Sequence, residues 1–295
     1  MLATGEDYPV KRVCEVLGLP RSTYYHEARR VDEQELKEAI EAIVREFPTY
    51  GTRRVTKQLR REPHRMVVNR KRVQRMMREM GLKRPMKRRT CRTTNSEHPY
   101  SRYPNLVDGL VVTYPDQVWV SDITYIRLGS GFVYLAVIMD VYTRVIRGWN
   151  LSRWLDQQLT LTALQRALAN RVPTIHHSDQ GVQYAASDYI DLLEGCHVQI
   201  SMASQGNPEE NGYAERLIRT IKEEEVDLSE NSDFADAYDQ IGHFIEEVYQ
   251  RKRIHSALDY ITPVEFEAAW EEAQAERALL LRMAENVPNF MGPLH

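Results

Sequence analysis

From Gln117 the chain reads Gln117-Val118-Trp119-Val120-Ser121-Asp122-Ile123-Thr124-Tyr125-Ile126, branched and aromatic side chains interrupted by one acid. That composition favours a pleated strand over a helix. Gly129-Ser130-Gly131 reads as a hairpin turn, Phe132 to Val141 as a second strand and Arg144 to Leu151 as a third. Asp156 to Asn170 has helical spacing, with Leu161, Leu164 and Leu168 expected to face inward. Thr174 to Asp179 ends a fourth strand, Ser187 to Glu194 is a short helix, and Val198 to Met202 is a fifth strand. A further helix begins at about Asn211. Three antiparallel strands followed by alternating helices and strands predict an α/β core, a mixed five-stranded sheet flanked by helices.

The remainder is helical and divides by texture. With 295 residues, 42% of them hydrophobic, two domains are expected and three are possible. Residues 1–30 hold a small helix-turn-helix-like segment, which serves DNA recognition or simply packs and oligomerises. Residues 31–84 read as a second, basic helix-turn-helix module, and residues 85–109 as a basic, aperiodic linker. The α/β core, of RNase H type, spans 110–228, and residues 229–295 form an acidic helical extension. The uncharged apolar stretch from Leu128 to Met139 is 12 residues, against the roughly 20 of a membrane helix. No basic n-region with a following apolar run marks a secretory signal. Cys14, Cys91 and Cys196 are odd in number and scattered, so they read as reduced thiols. A soluble cytoplasmic protein is expected, with no membrane partner.

Charge is segregated along the chain. Gly51 to Asn95 carries seventeen Lys and Arg against Glu62 and Glu79, a net of +15, whereas Gly206 to Glu285 sums to −12. One block this basic is the footprint of a polyanion partner, with a disordered basic linker as the alternative. Periodicity favours a folded element. Asn69 can cap a helix whose Val73, Met76, Met77 and Met80 fall on one face, with Gly81 as its stop. Lys71, Arg75 and Arg78 then lie on the opposite face, positioned for phosphates. The candidate DNA contacts are Arg53, Arg54, Lys57, Arg70, Lys71, Arg75, Arg78, Lys83, Arg84, Lys87, Arg88, Arg89, Arg219, Lys222 and Arg253.

Three acids stand out against this background. Asp122 lies in an apolar strand, where an unpaired carboxylate is costly and needs a partner such as a cation. Asp179 ends a strand, where α/β sheets place ligand groups. Glu215 borders a helical face of Ala214, Leu217, Ile218 and Ile221, beside Asn211, Arg219 and Lys222. Two strand aspartates and a helix glutamate favour a hard divalent cation, Mg²⁺ or Mn²⁺ over zinc. His176 and His177 are open to reading as ligands, a general base or packing groups at the strand end. Asp140 reads as an ion-pair partner of Arg144, and Trp119 and Trp149 as core.

These motifs carry a family resemblance. Trp119-Val120-Ser121-Asp122-Ile123-Thr124-Tyr125, His177-Ser178-Asp179-Gln180-Gly181-Val182-Gln183-Tyr184 and Gly206-Asn207-Pro208-Glu209-Glu210-Asn211-Gly212-Tyr213-Ala214-Glu215 resemble the DDE motifs of IS-three family bacterial insertion-sequence transposases. The 35 residues between Asp179 and Glu215 match that family and retroviral integrases. Tyr50-Gly51-Thr52-Arg53-Arg54-Val55 with Asn69-Arg70-Lys71-Arg72-Val73 resembles the family's second helix-turn-helix. Arg253-Ile254-His255-Ser256-Ala257-Leu258 with Thr262-Pro263 resembles its C-terminal signature. Departures are Glu210-Asn211-Gly212 in place of Asp-Asn-Ala and Gln250 in place of a usual Asn.

The resemblance implies 3′-end cleavage and strand transfer by Asp122, Asp179 and Glu215 around two Mg²⁺ ions, with Mn²⁺ substituting. His177, Gln180, Gln183, Tyr184, Asn207 and Asn211 are the supporting residues. It further implies double-stranded DNA partners (terminal inverted repeats and target), a homo-oligomer on DNA, and a bacterial, nucleoid-associated location. An upstream-frame protein, separate or fused by frameshifting, is a further expected partner. Two readings from other classes remain: a DNA-binding regulator with an inactive core, and an RNase H-type nuclease.

Overall fold

A computed structural model describes residues 10–21, 33–82, 103–128, 131–204, 208–229 and 231–285. Lys83, Arg84, Lys87, Arg88, Arg89 and Asn207 lie outside those residues, as do most of the expected linker and the second half of the first helix-turn-helix-like segment.

Among the described residues, four helices precede the sheet: α1 (Val10–Leu17), α2 (Glu33–Glu46), α3 (Thr52–Gln58) and α4 (Arg70–Glu79). Asn69 caps α4, its side-chain oxygen accepting the Lys71 N–H at 2.8 Å. Gly81 ends that turn at φ +69, a conformation glycine adopts without steric cost. Leu36, Ile40 and Ile43 of α2, Val55 and Leu59, and Val73, Met76 and Met77 of α4 close a core of their own. The expected apolar stripe of α4 is therefore its buried face, while Arg70, Lys71, Arg75 and Arg78 remain exposed.

The sheet contains β1 (Val118–Leu128), β2 (Gly131–Asp140), β3 (Ile146–Ser152), β4 (Ile175–Ser178) and β5 (Gln199–Met202), in the order β3-β2-β1-β4-β5. β1, β2 and β3 pair antiparallel, while β4 pairs parallel with both β1 and β5. This is the mixed five-stranded sheet of the RNase H type. α5 (Gln157–Leu168) and α6 (Ser187–Gly195) cover one face against Trp119, Ala136 and Ile138. α7 (Gly212–Ile221) and α8 (Phe234–His243) cover the other against Val118, Val120, Val137 and Met139. Alternation along β1 thus assigns odd residues to α5 and even residues, Asp122 among them, to the α7 side. A π-helical turn (Lys222–Val226) prolongs α7, and the long α9 (Pro263–Glu285) closes the described chain. Among the described residues no helix is long and apolar enough to cross a membrane.

Three local expectations change. β3 starts at Ile146 because Arg144 sits at φ +65 in a tight turn, incompatible with a strand. Asp140 builds that turn: fully buried, its carboxylate accepts from the Thr143 N–H at 2.7 Å, the Thr143 hydroxyl at 2.6 Å and the Asp116 N–H at 2.9 Å, while Arg144 gives only its backbone N–H, to the Asp140 carbonyl at 3.0 Å. The inner face of α5 is Leu159, Ala163, Leu164 and Ala167, with Leu161 and Leu168 only half-buried. The small residues there let the helix backbone approach Gly148 of β3.

Candidate active site

β4 pairs with β1 only as far as Val120 opposite His177. Two residues further along that register, Asp122 and Asp179 face one another where the strands part. Such a crevice at the carboxyl end of a parallel strand is where open α/β sheets place ligands. Asp122 Oδ1 accepts the Ile123 N–H at 2.8 Å, and Asp179 Oδ1 accepts the Gly181 N–H at 2.9 Å. The second contact explains Gly181, a residue the sequence reading left without a role. A Cβ there would lie 2.9 Å from Asp179 Oδ1 and displace the carboxylate.

The third acid arrives on α7. A 3₁₀ turn (Pro208–Asn211) leads into that helix, and Asn211, 4% exposed, donates its Nδ2–H to the Ser121 carbonyl at 3.0 Å. One hydrogen bond thereby ties the residue before Asp122 to the residue one turn before Glu215. Burial, then the negative charge of Asp179 and, more weakly, of Glu215, push Asp122 up to about 8. Its neighbours Asp179 and Glu215 are thus close enough to act on it electrostatically. Lys222 partly offsets this, its ammonium 4.5 Å from the centre of the Tyr125 ring. Arg219 is exposed.

The neighbouring polar groups are held in place by burial. His176 accepts from or donates to the Tyr189 hydroxyl at 2.9 Å, and burial lowers it to about 3. His177 is fully buried, with Nδ1 2.8 Å from Ser201 Oγ across β4 and β5. Burial also lowers its pKa, which argues for packing over general-base work. Tyr184 is buried and its hydroxyl is held well above its ordinary pKa by burial and then by Tyr189, Asp122 and Asp179. Gln180 and Gln183 are half-buried in the loop after Asp179.

The donor types, oxygen-only carboxylates with Asp122 and Asp179 at adjacent strand ends, suit a hard divalent cation. Among the described residues no group of three or more His, Cys, Asp or Glu side chains is already close enough together to hold a metal ion. A stability consequence follows from Asp122. An acid whose folded pKa is raised gives stability that is full below its ordinary pKa and lost as pH rises towards about 8. Asp122→Asn should therefore raise the unfolding midpoint by about 2–6 °C at pH 8 in chelator. At pH 4 it should change little. Equal midpoints for both proteins at pH 8 would show that Asp122 is not strained.

The expected DNA contacts divide. Arg53, Arg70, Lys71 and Arg78 are exposed, while Arg75, also exposed, pairs with Glu33 at 3.1 Å and Glu79 at 3.6 Å. Lys57 lies 4.9 Å over the Tyr260 ring. Arg253 is a correction: it is 2% exposed and its Nε lies 2.6 Å from Glu224 Oε2, so its guanidinium faces inward. Arg54 turns towards the same glutamate at 3.4 Å. His255, half-buried, packs edge-on against Tyr249 and sits 3.1 Å from Arg253.

Similarity to known proteins extends over most of the chain. The family described as "Integrase core domain" matches residues 112–208, a second of that description matches 196–263, and "HTH-like domain" matches 31–90. The "Transposase for insertion sequence element IS904" of Lactococcus lactis is 35% identical over 81% of this chain and 96% of its own length. The chain belongs to the IS3 family of insertion-sequence transposases. The "Insertion element IS600 uncharacterized 31 kDa protein" of Shigella sonnei is 36% identical over 89% of the chain and all of its own length. "Transposase InsF for insertion sequence IS3A" of Escherichia coli is 29% identical over 88% of the chain and 94% of its own length. Among solved structures, the HTLV-2 integrase catalytic core domain in complex with magnesium (dimeric form) is 16% identical with a TM-score of 0.40. It covers 52% of this chain and 97% of its own. As a family member the chain is an integrase-type transposase that acts on DNA.

Proposed function

We propose that the chain cuts the 3′ ends of its element and transfers them to target DNA, with Asp122, Asp179 and Glu215 as the catalytic and metal-holding residues. The observation that carries this is the strand register that puts Asp122 beside Asp179 where β1 and β4 part, with Asn211 tying the start of the Glu215 helix to β1 at Ser121. Asp122, Asp179 and Glu215 would hold two Mg²⁺ or Mn²⁺ ions, which when bound would supply positive charge to the reacting phosphodiester. The chain itself does the positioning. Gly181 and Ile123 N–H groups orient the two aspartates, and Asn211 sets the distance of α7. Lys222 and Arg219, on the Glu215 helix, hold the phosphate backbone. Tyr184 is buried away from the cleft. In this scheme water attacks the phosphodiester at the element end, releasing the element's 3′-hydroxyl and leaving the 5′-phosphate on the flank. That 3′-hydroxyl then attacks a target phosphodiester and releases a target 3′-hydroxyl.

Purified chain, or its fusion to an upstream-frame protein, should nick and join terminal-repeat duplexes in Mg²⁺ or Mn²⁺ and stop on chelation. Undiminished activity in excess EDTA would rule the scheme out. Cleavage without joining would favour a nuclease, and binding with neither would favour a regulator. Joining holds two ends at once, so a homo-oligomer on DNA belongs to the same proposal.

The exposed face of α4 supplies general affinity for the duplex. Lys71→Ala with Arg78→Ala should lower the slope of log affinity against log salt by roughly 2 × 0.9, one counterion per phosphate contact. Arg75→Ala should add less, since Glu33 and Glu79 already neutralise that side chain. An unchanged slope in the double variant would place α4 away from the duplex.

A further inference from the structure

Glu215 and Glu224 are carried by one continuous helical rod, α7 and its π-helical extension. Nine residues apart, they are separated by about 13 Å along the axis at 1.5 Å per residue. At the far end both Glu224 oxygens are taken up by Arg253, at 2.6 and 2.7 Å, and Arg54 of α3 approaches at 3.4 Å. Burial pushes Glu224 up, yet the Arg253 hydrogen bonds and charge, with Arg54, hold it below the usual carboxylate range.

Arg253 continues this connection into the helix-turn-helix-like module. The next residue, Ile254, is fully buried inside the core of α2, α3 and α4 and donates its N–H to the Tyr50 hydroxyl at 3.0 Å. Arg61 of the module also pairs with Glu265 of α9. The same module presents the exposed cationic face of α4. A packed, largely buried connection therefore runs from the Glu215 helix to the surface proposed to grip DNA.

Ionic groups buried this deeply add little stability over apolar side chains of the same shape, because desolvation offsets their attraction. Setting a register is the use that accounts for them. Resting on the function proposed above, we infer that Glu224, Arg253, Arg54 and Tyr50 form a molecular ruler. They fix the distance between the terminal repeat held by the helical module and the phosphodiester presented to Asp122, Asp179 and Glu215. These are positioning residues, and their product is the choice of one bond.

The test maps cleavage at single-nucleotide resolution on a labelled duplex carrying one end of the element and its flank. Wild type, Glu224→Gln and Tyr50→Phe are compared. Tyr50→Phe removes one hydroxyl and keeps the ring stacked 4.5 Å from Phe47, so it carries the test even where Glu224→Gln fails to fold. Wild type should cut one bond. The variants should spread cleavage over neighbouring bonds, raising the off-position fraction by roughly tenfold, because small displacements at a reacting centre have large rate effects. Variants that cut more slowly but at the same single bond would overturn the ruler and leave only a structural role. A wild-type chain that makes no cut in Mg²⁺ or Mn²⁺ would fail at the proposed function itself, and the ruler would fall with it.

Discussion

Asp122→Asn, Asp179→Asn and Glu215→Gln should each lower strand cleavage and joining by about 10³-fold or more, while folding and duplex binding survive. Each change removes one negative charge with nearly unchanged shape, so packing around β1, β4 and α7 is preserved. A double variant should be little worse than a single one, because groups that act as a unit are not additive. Asp122→Asn should combine lost activity with greater chelator-state stability, relieving a buried acid that resists ionisation. That pairing of outcomes distinguishes a functional site held under electrostatic strain from a structural ion pair, whose removal lowers stability. Joining rates and unfolding midpoints of the same preparations check both arms.

Gly148→Ala should be among the most damaging substitutions outside the site. Gly148 lies on β3 opposite Ile138, where α5 crosses the sheet. A Cβ there would meet the Ala163 carbonyl oxygen at 2.2 Å and the Ala167 nitrogen at 2.9 Å. Both obstacles are backbone of a helix that also buries Leu159 and Leu164, so no side-chain rotation relieves the clash. Either α5 lifts and opens the core around Trp119, or β3 shifts against β2. The cost should exceed about 3 kcal/mol, and the unfolding midpoint should fall by at least roughly 6 °C. A soluble variant with a wild-type midpoint would mean that α5 does not approach β3 this closely.

The sheet was legible because β1 and β2 are long, branched and aromatic, and because Gly131 closes a short connection between them. The Asn69 cap and Gly81 stop of α4 were legible for the same local reason, since capping depends on adjacent residues alone. Asp122, Asp179 and Glu215 stood out as acids in unusual apolar settings, and family motifs ordered them. What could not be read depends on distant contacts. Arg253 looked like a DNA contact because charge alone does not reveal that Glu224, 29 residues earlier, turns it inward. Within Glu223-Glu224-Glu225 no local pattern marks the middle residue. Asp140 has Arg144 four residues away, yet its lone pairs go to Thr143, a choice set by the turn geometry. Gly148 reads as an ordinary glycine in a strand until α5 is placed over it.

The register of the third acid is tested most directly by comparing joining by Glu215→Gln and Glu210→Gln on the same terminal-repeat duplex. Glu210 lies in the 3₁₀ turn and Glu215 in the first turn of α7, and each change replaces one carboxyl by an amide. Glu210, however, is engaged as a latch, its Oε2 accepting from Asn105 Nδ2 and the Ser204 N–H, each at 2.7 Å. Glu215 instead acts on Asp122 from the first turn of α7. Glu215→Gln should lose about 10³-fold or more in joining rate, and Glu210→Gln should stay within roughly tenfold of wild type. Near-normal joining by Glu215→Gln, with loss in Glu210→Gln, would contradict the assignment of the site.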